Sequence, residues 1–213
     1  MTDALVLHGF WRSTASWRVR IALGLKGLAW TGVAHHLRLG EQNAPKYLAL
    51  NPQGFVPALV VGDDVLTQSM AICEYLDDVH PEPALLPADA LARAKVRAAA
   101  QVIACDIHPV QNLKVLKMLR KRGLDEAAAN AWAAEVIESG LSAFAKLIEG
   151  NDGPYCFGNQ VTLADIVLVP QLGNARRFGA KFGFGRIAAV EAECMKLPAF
   201  IDAAPDKQAD AEG

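Results

Sequence analysis

A chain of 213 residues can bury a sizeable core, and at roughly 100 to 200 residues per domain it accommodates one large domain or two small ones; we expect two. With 52% hydrophobic and 21% charged residues and a net charge of -2, it is an ordinary globular chain, which sets aside disorder, nucleic-acid coating and binding to acidic membranes. No apolar stretch approaches the roughly 18 residues that span a bilayer, and Met1 to Leu7 lacks the basic and long apolar regions of a secretory signal, so a cytoplasmic protein is expected.

Leu5 to His8 is a short apolar run closed by Gly9, and Trp30 to His36 is a second run containing Thr and Val; both suit strands. Between them Trp17, Ile21, Ala22 and Leu25 recur at helical spacing, with Gly27 as a C-terminal stop. Pro57 to Val61 and Val65 to Thr67 flank Gly62-Asp63-Asp64, a hairpin signal. Ile72, Tyr75, Leu76 and Val79 then predict a helix with Ser69 as its N-cap. The order β-α-β followed by β-β-α implies a compact mixed sheet over residues 1-84. The proline-rich stretch "HPEPALLPADA" marks a domain boundary near residue 85. Beyond it, in residues 85-213, strand signals vanish. Helical patterns run over about 90 to 121, 125 to 149, 162 to 178 and 186 to 196, which predicts an all-helical domain. The stretch "AAPDKQADAEG" from Ala203 is too polar to bury and is expected to fray.

Cys73, Cys105, Cys156 and Cys194 are far apart, form neither a CxxC pair nor a metal-ligand cluster, and read as buried filler; no metal is expected. Ser13, Thr14 and Ser16, by contrast, cluster where the first strand gives way to the first helix, beside Arg12, Arg18 and Arg20. A helix start carries unpaired N-H groups and about half a positive charge. Capping needs a single hydroxyl, so the surplus of donors points to an anion site. One anion that gains from such a place is a thiolate, because donated hydrogen bonds and the dipole lower a thiol pKa from about 8.5 toward neutrality. The nearby sequence supplies no cysteine, so any thiol must arrive with a ligand. Gln68-Ser69 opens a second helix at the end of a neighbouring strand, and two positive ends suit a ligand with two negative groups.

In order along nearly the whole chain, Ser13-Thr14-Ala15-Ser16-Trp17-Arg18-Val19-Arg20, Asn51-Pro52-Gln53-Gly54 with Val56-Pro57, Gln68-Ser69, and Thr162-Leu163-Ala164-Asp165 resemble the zeta class of glutathione transferases. The resemblance implies an α/β thioredoxin-like domain that binds glutathione over 1-84, an all-α bundle that shapes the substrate pocket over 85-213, and a homodimer. It places a cis bond at Val56-Pro57. It implies that Ser13, Thr14, Ala15, Ser16, Trp17 and Arg18 line the cofactor thiol, with Ser13 donating to the sulfur and Thr14 beside it. Gln42 and Val56 would hold the glutathione backbone, Gln68 and Ser69 its γ-glutamyl carboxylate, and His108, Asn112, Leu113 and Lys114 are further contacts. Arg177, with Arg12 as second candidate and Arg176 next to it, would bind the substrate carboxylate. Ala15 stands where the family commonly has cysteine, which leaves the cofactor sulfur as sole nucleophile.

The implied activity is glutathione-dependent cis-trans isomerisation of a maleyl keto acid, maleylacetoacetate to fumarylacetoacetate in aromatic catabolism, with maleylpyruvate as the alternative substrate. A transferase conjugating or dehalogenating small α-halo acids, and a non-catalytic interaction module of the same fold, are the competing readings. From the residues alone, His108-Pro109 should kink the helix over 90 to 121, because proline cannot bond the Cys105 carbonyl. Arg176-Arg177 complements a helix C-terminus, and Thr162 with Asp165 forms a capping box.

Overall fold

The computed structural model describes residues 4–183 and 185–212. The chain divides into two compact units, one formed by the chain up to Ala84 together with the segment from Met195 on, the other by Leu85–Cys194. The segment expected to fray therefore returns to the first unit.

In that unit β1 (Leu5–Gly9), β2 (Thr31–Ala34), β3 (Ala58–Val61) and β4 (Asp64–Thr67) form one sheet of order β2-β1-β3-β4. β1 runs parallel to β2, which the intervening helix α1 (Thr14–Leu25) makes possible as a crossover, and antiparallel to β3. The β3-β4 hairpin turns at Gly62, whose φ of 58° is open to glycine without a Cβ clash. Leu7, Val19, Ile21, Leu23, Leu59, Ile72 and Leu76 are buried, so α1 and α3 (Ser69–Val79), which pack against each other, bury their apolar stripes. α1 ends as expected: Gly27 adopts φ 63° and the Leu28 amide bonds back to the Leu23 carbonyl at 3.0 Å.

Between β2 and β3 lies a short helix the sequence reading omitted, α2 (Pro45–Leu48), with Pro45 in the first turn where a missing N-H is harmless. Its Tyr47 is buried, and the Tyr47 hydroxyl (2.6 Å) and Asn51 Nδ2 (2.7 Å) both donate to the Phe55 carbonyl, fixing the approach to Val56. The imidazoles of His8 in β1 and His35 just after β2 meet nitrogen to nitrogen at 2.9 Å, with rings stacked at 5.1 Å. Burial pushes both pKa values below the ordinary histidine value; His35 adds to the effect on His8, and Glu41 opposes it on His35.

The second unit is helical: α4 (Ala90–Gln101), α5 (Leu113–Lys121), α6 (Glu126–Ile148), α7 (Leu163–Phe178) and α8 (Gly185–Cys194). The single kinked helix expected over 90 to 121 is corrected. α4 passes into a π turn over Val102–Ile107, and the chain leaves helical structure before Asn112 caps α5 by accepting the Val115 amide at 3.1 Å. Pro109 explains why the ladder cannot continue, and the wider turn precedes it. A Cβ on Gly140 of α6 would fall on the Ile107 side chain, so this glycine admits the π turn against α6. α7 is buried almost throughout and is the axis of the unit. In the first unit α9 (Pro198–Asp202) packs on α1. No helix among the described residues is long and apolar enough to cross a membrane.

Cys73, Cys156 and Cys194 are buried, and burial raises all three thiols, that of Cys73 to about 12. Cys105 is exposed, against the expectation that all four would be filler.

Candidate active site

Ser13 is the N-cap of α1, with extended backbone (φ -69°, ψ 118°), and its Oγ accepts from the Ser16 amide at 3.2 Å. One hydroxyl thus does the capping. The buried Thr14 and Ser16 hydroxyls meet no hydrogen-bond partner among the described residues, and the first turn carries no acidic side chain. The start of α1 is therefore electropositive and supplied with uncommitted hydroxyl groups. Gly9 lets it approach β1, since a Cβ there would stand 3.2 Å from Ser16 Oγ.

Thr14, Ala15, Ser16, Trp17 and Arg18 are all buried, whereas Arg12 and Ser13 keep partial exposure. Arg12 lies over the Trp11 ring at 5.2 Å from its centroid. Burial and then Arg38 push its guanidinium below its ordinary pKa, while Glu212 favours the charge. Arg18 Nη1 donates to Ser69 Oγ at 3.3 Å in the core, so the starts of α1 and α3 are linked from beneath.

At the second start the sequence reading of Ser69 as N-cap is corrected. Gln68 holds the cap position at φ 68°, and it is the one non-glycine residue at positive φ among the described residues. Such a conformation stores roughly 1 to 3 kcal/mol and tends to persist where a site needs it. Its exposed side chain donates through Nε2 to Gln53 Oε1 at 2.8 Å. Ser69 is instead the first residue of α3, whose first turn again lacks an acid and whose cap makes no side-chain bond. Val56 is buried and its bond to Pro57 is cis, as the resemblance implied. Gln42 donates weakly to the Leu37 carbonyl at 3.4 Å and leaves its buried Oε1 without a partner among the described residues; a Cβ on Gly54 would crowd the Gln42 carbonyl at 3.2 Å. Residues 13, 42, 56, 68 and 69 thus belong to one unit, and the two helix starts in it share the Arg18 link.

His108, Asn112, Leu113 and Lys114 sit together in the second unit at the break before α5. Gln111, missed in the sequence, is buried there with its Nε2 unpartnered among the described residues, and no local pattern marks it. Arg176 and Arg177 close α7, and both are exposed. Arg176 makes a forked ion pair with Glu191, in which Nη1 donates to Oε1 at 2.7 Å, and this hydrogen bond raises its pKa. Arg177 lies against the Phe178 ring at 4.9 Å. Thr162 and Asp165 form the expected box: Asp165 Oδ2 accepts the Thr162 amide and hydroxyl, and Oδ1 the Cys156 amide, each at 2.8 Å. Burial raises the Asp165 pKa, opposed by these bonds.

A sheet of this order, with open helix starts on it and an α-helical second unit, is the arrangement of a thiol-cofactor transferase. Family models agree: the glutathione S-transferase N-terminal domain matches residues 12–79 and the glutathione S-transferase C-terminal domain residues 89–204. The chain belongs to the glutathione S-transferase family, and its likenesses lie in the zeta class. It is 49% identical over 208 residues to maleylpyruvate isomerase of Ralstonia sp, covering 96% of this chain and 98% of that protein. The holo structure of a maleyl pyruvate isomerase, a bacterial glutathione S-transferase of the zeta class, matches with a TM-score of 0.95 at 48% identity, covering 97% of this chain and 100% of that one. A maleylacetoacetate isomerase from Anaeromyxobacter dehalogenans 2CP-1 with glutathione bound in its active site matches with a TM-score of 0.90 at 42% identity over 100% of both chains.

Proposed function

We propose that this chain is a glutathione-dependent cis-trans isomerase of a maleyl keto acid, maleylacetoacetate or maleylpyruvate. The observation that carries the reading is the start of α1, where the partly exposed Ser13 caps the helix and no carboxylate occupies the turn. The Ser13 hydroxyl and the positive end of α1 fit an incoming thiolate, and the uncapped, acid-free start of α3 behind Gln68 fits a carboxylate of the same ligand. Glutathione, when bound, supplies the thiolate that adds reversibly to the maleyl double bond and leaves unconsumed.

Ser13 is the proposed donor to the sulfur and, with the dipole of α1, keeps it ionised. Thr14, Ala15, Ser16, Trp17 and Arg18 shape the ground beneath it, Arg18 by steadying Ser69. Gln42 and Val56 are proposed to hold the tripeptide backbone, Gln68 and Ser69 the γ-glutamyl carboxylate. In the helical unit His108, Gln111, Asn112, Leu113 and Lys114 are proposed ligand contacts. Arg177 and Arg12 are the proposed holders of substrate carboxylate, where a planar fork gives two parallel bonds and stabilises charge developing on the conjugated carbonyl. Arg176, committed to Glu191, is left a supporting part.

Widely separated free cysteines suit a reducing, cytoplasmic location, and a homodimer belongs to the same reading. The decisive experiment supplies glutathione in catalytic amount with either maleyl keto acid. Turnover without loss of the thiol is expected; stoichiometric consumption would make the chain a conjugating transferase, and no turnover with either class of substrate an interaction module.

A further inference from the structure

The residues after Ala203, too polar to bury, pair instead with the loop that leads into α1. The Trp11 amide donates to Asp210 Oδ2 at 2.9 Å, across a sequence separation of 199. The Trp11 carbonyl accepts from Arg20 Nη2 at 2.9 Å, while Arg20 Nε donates to the Ala203 carbonyl at 3.0 Å. The Ser13 amide then closes the turn onto the Phe10 carbonyl at 3.0 Å. Both backbone groups of Trp11, two residues before the cap, are thus held by partners that the closing segment supplies or braces. Burial lowers the Arg20 guanidinium to about 10, and Asp210 opposes that loss of charge. A second anchor lies alongside: His36 Nε2 meets Glu212 Oε1 at 2.5 Å.

We propose that Asp210 is a positioning residue for the Ser13 site: by clamping the Trp11 amide it fixes the loop from Phe10 to Ser13, and with it the direction of the cap hydroxyl. The inference rests on the glutathione reading and extends it to a segment outside the proposed ligand contacts. An error of about 1 Å in a donor is enough to matter, since displacements of that size can reduce rate about 100-fold.

Asp210→Ala and Asp210→Asn in the full chain test it, because the asparagine carbonyl still accepts from Trp11 and alanine cannot. Hydrogen exchange over residues 10–16 reads the clamp without any ligand; glutathione affinity and the pH dependence of the bound thiolate's ultraviolet absorbance read the site. Asp210→Ala should exchange faster there, bind glutathione about tenfold more weakly and show a higher bound-thiol pKa, with Asp210→Asn close to the parent. A lowered melting temperature with exchange over 10–16, affinity and thiol titration all unchanged overturns the clamp, as does an asparagine variant as impaired as the alanine one. A parent protein that binds no glutathione overturns the functional reading instead, and the exchange rates alone then decide whether Asp210 holds the loop.

Discussion

The starts of α1 and α7 solve the same problem in opposite ways. Both present unpaired amides and a positive dipole end. α7 supplies its own anion: Asp165, third residue of the helix, is fully buried and accepts three hydrogen bonds of 2.8 Å. At α1 the equivalent third position is Ser16, whose hydroxyl has no partner among the described residues, and no acid stands in the turn. A helix that satisfies itself is a structural post; one that leaves its positive end open keeps a place for an outside anion.

The largest effect should come from opening the closed start. Asp165→Ala orphans two buried backbone amides and the Thr162 hydroxyl, a loss of about 3 kcal/mol or more in denaturant-monitored unfolding. Ser13→Ala should lose only about 1 kcal/mol of stability. Equal losses at the two positions would erase the distinction. Closing the open start is the converse. Ser16→Asp places an acid at the position Asp165 holds in α7, and glutathione affinity measured by calorimetry should fall by more than tenfold. Ser16→Asn, similar in size and uncharged, should fall less; an equal fall would assign the effect to crowding against Gly9.

Ser13→Ala should slow turnover at neutral pH by roughly tenfold, with the acidic limb of the pH-rate profile moved to higher pH, because a thiol without its donor ionises later. Arg177→Ala should raise the Michaelis constant for the dicarboxylate severalfold while glutathione affinity stays put. A loss of glutathione affinity instead would move Arg177 to the cofactor.

The smallest effect concerns His8 of β1 and His35 just after β2. His8 and His35 have depressed pKa values in the folded chain, so below about 6.5 the unfolded chain binds more protons. Their contribution is complete above that value and is lost as pH falls through the folded-state pKa values. His35→Gln should flatten the stability profile on that acidic side.

The contrast between the two helix starts was half legible in the sequence. Thr162 and Asp165 announce a capping box by spacing alone, and the hydroxyls around Ser13 announce an excess of donors. Local pattern likewise gave the mixed sheet, the Gly27 stop and the helical second unit, since burial of a stripe or a strand face is written in periodicity. What stayed hidden depends on partners far along the chain. Gln68 reads as an ordinary residue before a cap, yet its positive φ is imposed by the junction of β4 with α3. The stretch from Ala203 has the composition of a fraying tail, and only the Trp11 amide and the His36 ring, nearly 200 and 176 residues away, give its acids something to hold. Pro109 signalled an interruption, but the kind of interruption follows from the meeting of Ile107 with Gly140.

That interruption has a further consequence. In the π turn the His108 amide bonds five residues back, to the Ile103 carbonyl at 2.9 Å, so one residue more than an α-helix needs is taken up before the break. That residue is absorbed in the widened turn, so removing a single residue from Val102–Ile107 would return this stretch to α geometry and leave the segment from His108 on close to its present direction. The broad turn thus absorbs a length difference that an α-helix would pass on as a rotation of about 100° per residue, and the space it needs is kept by the missing Cβ of Gly140.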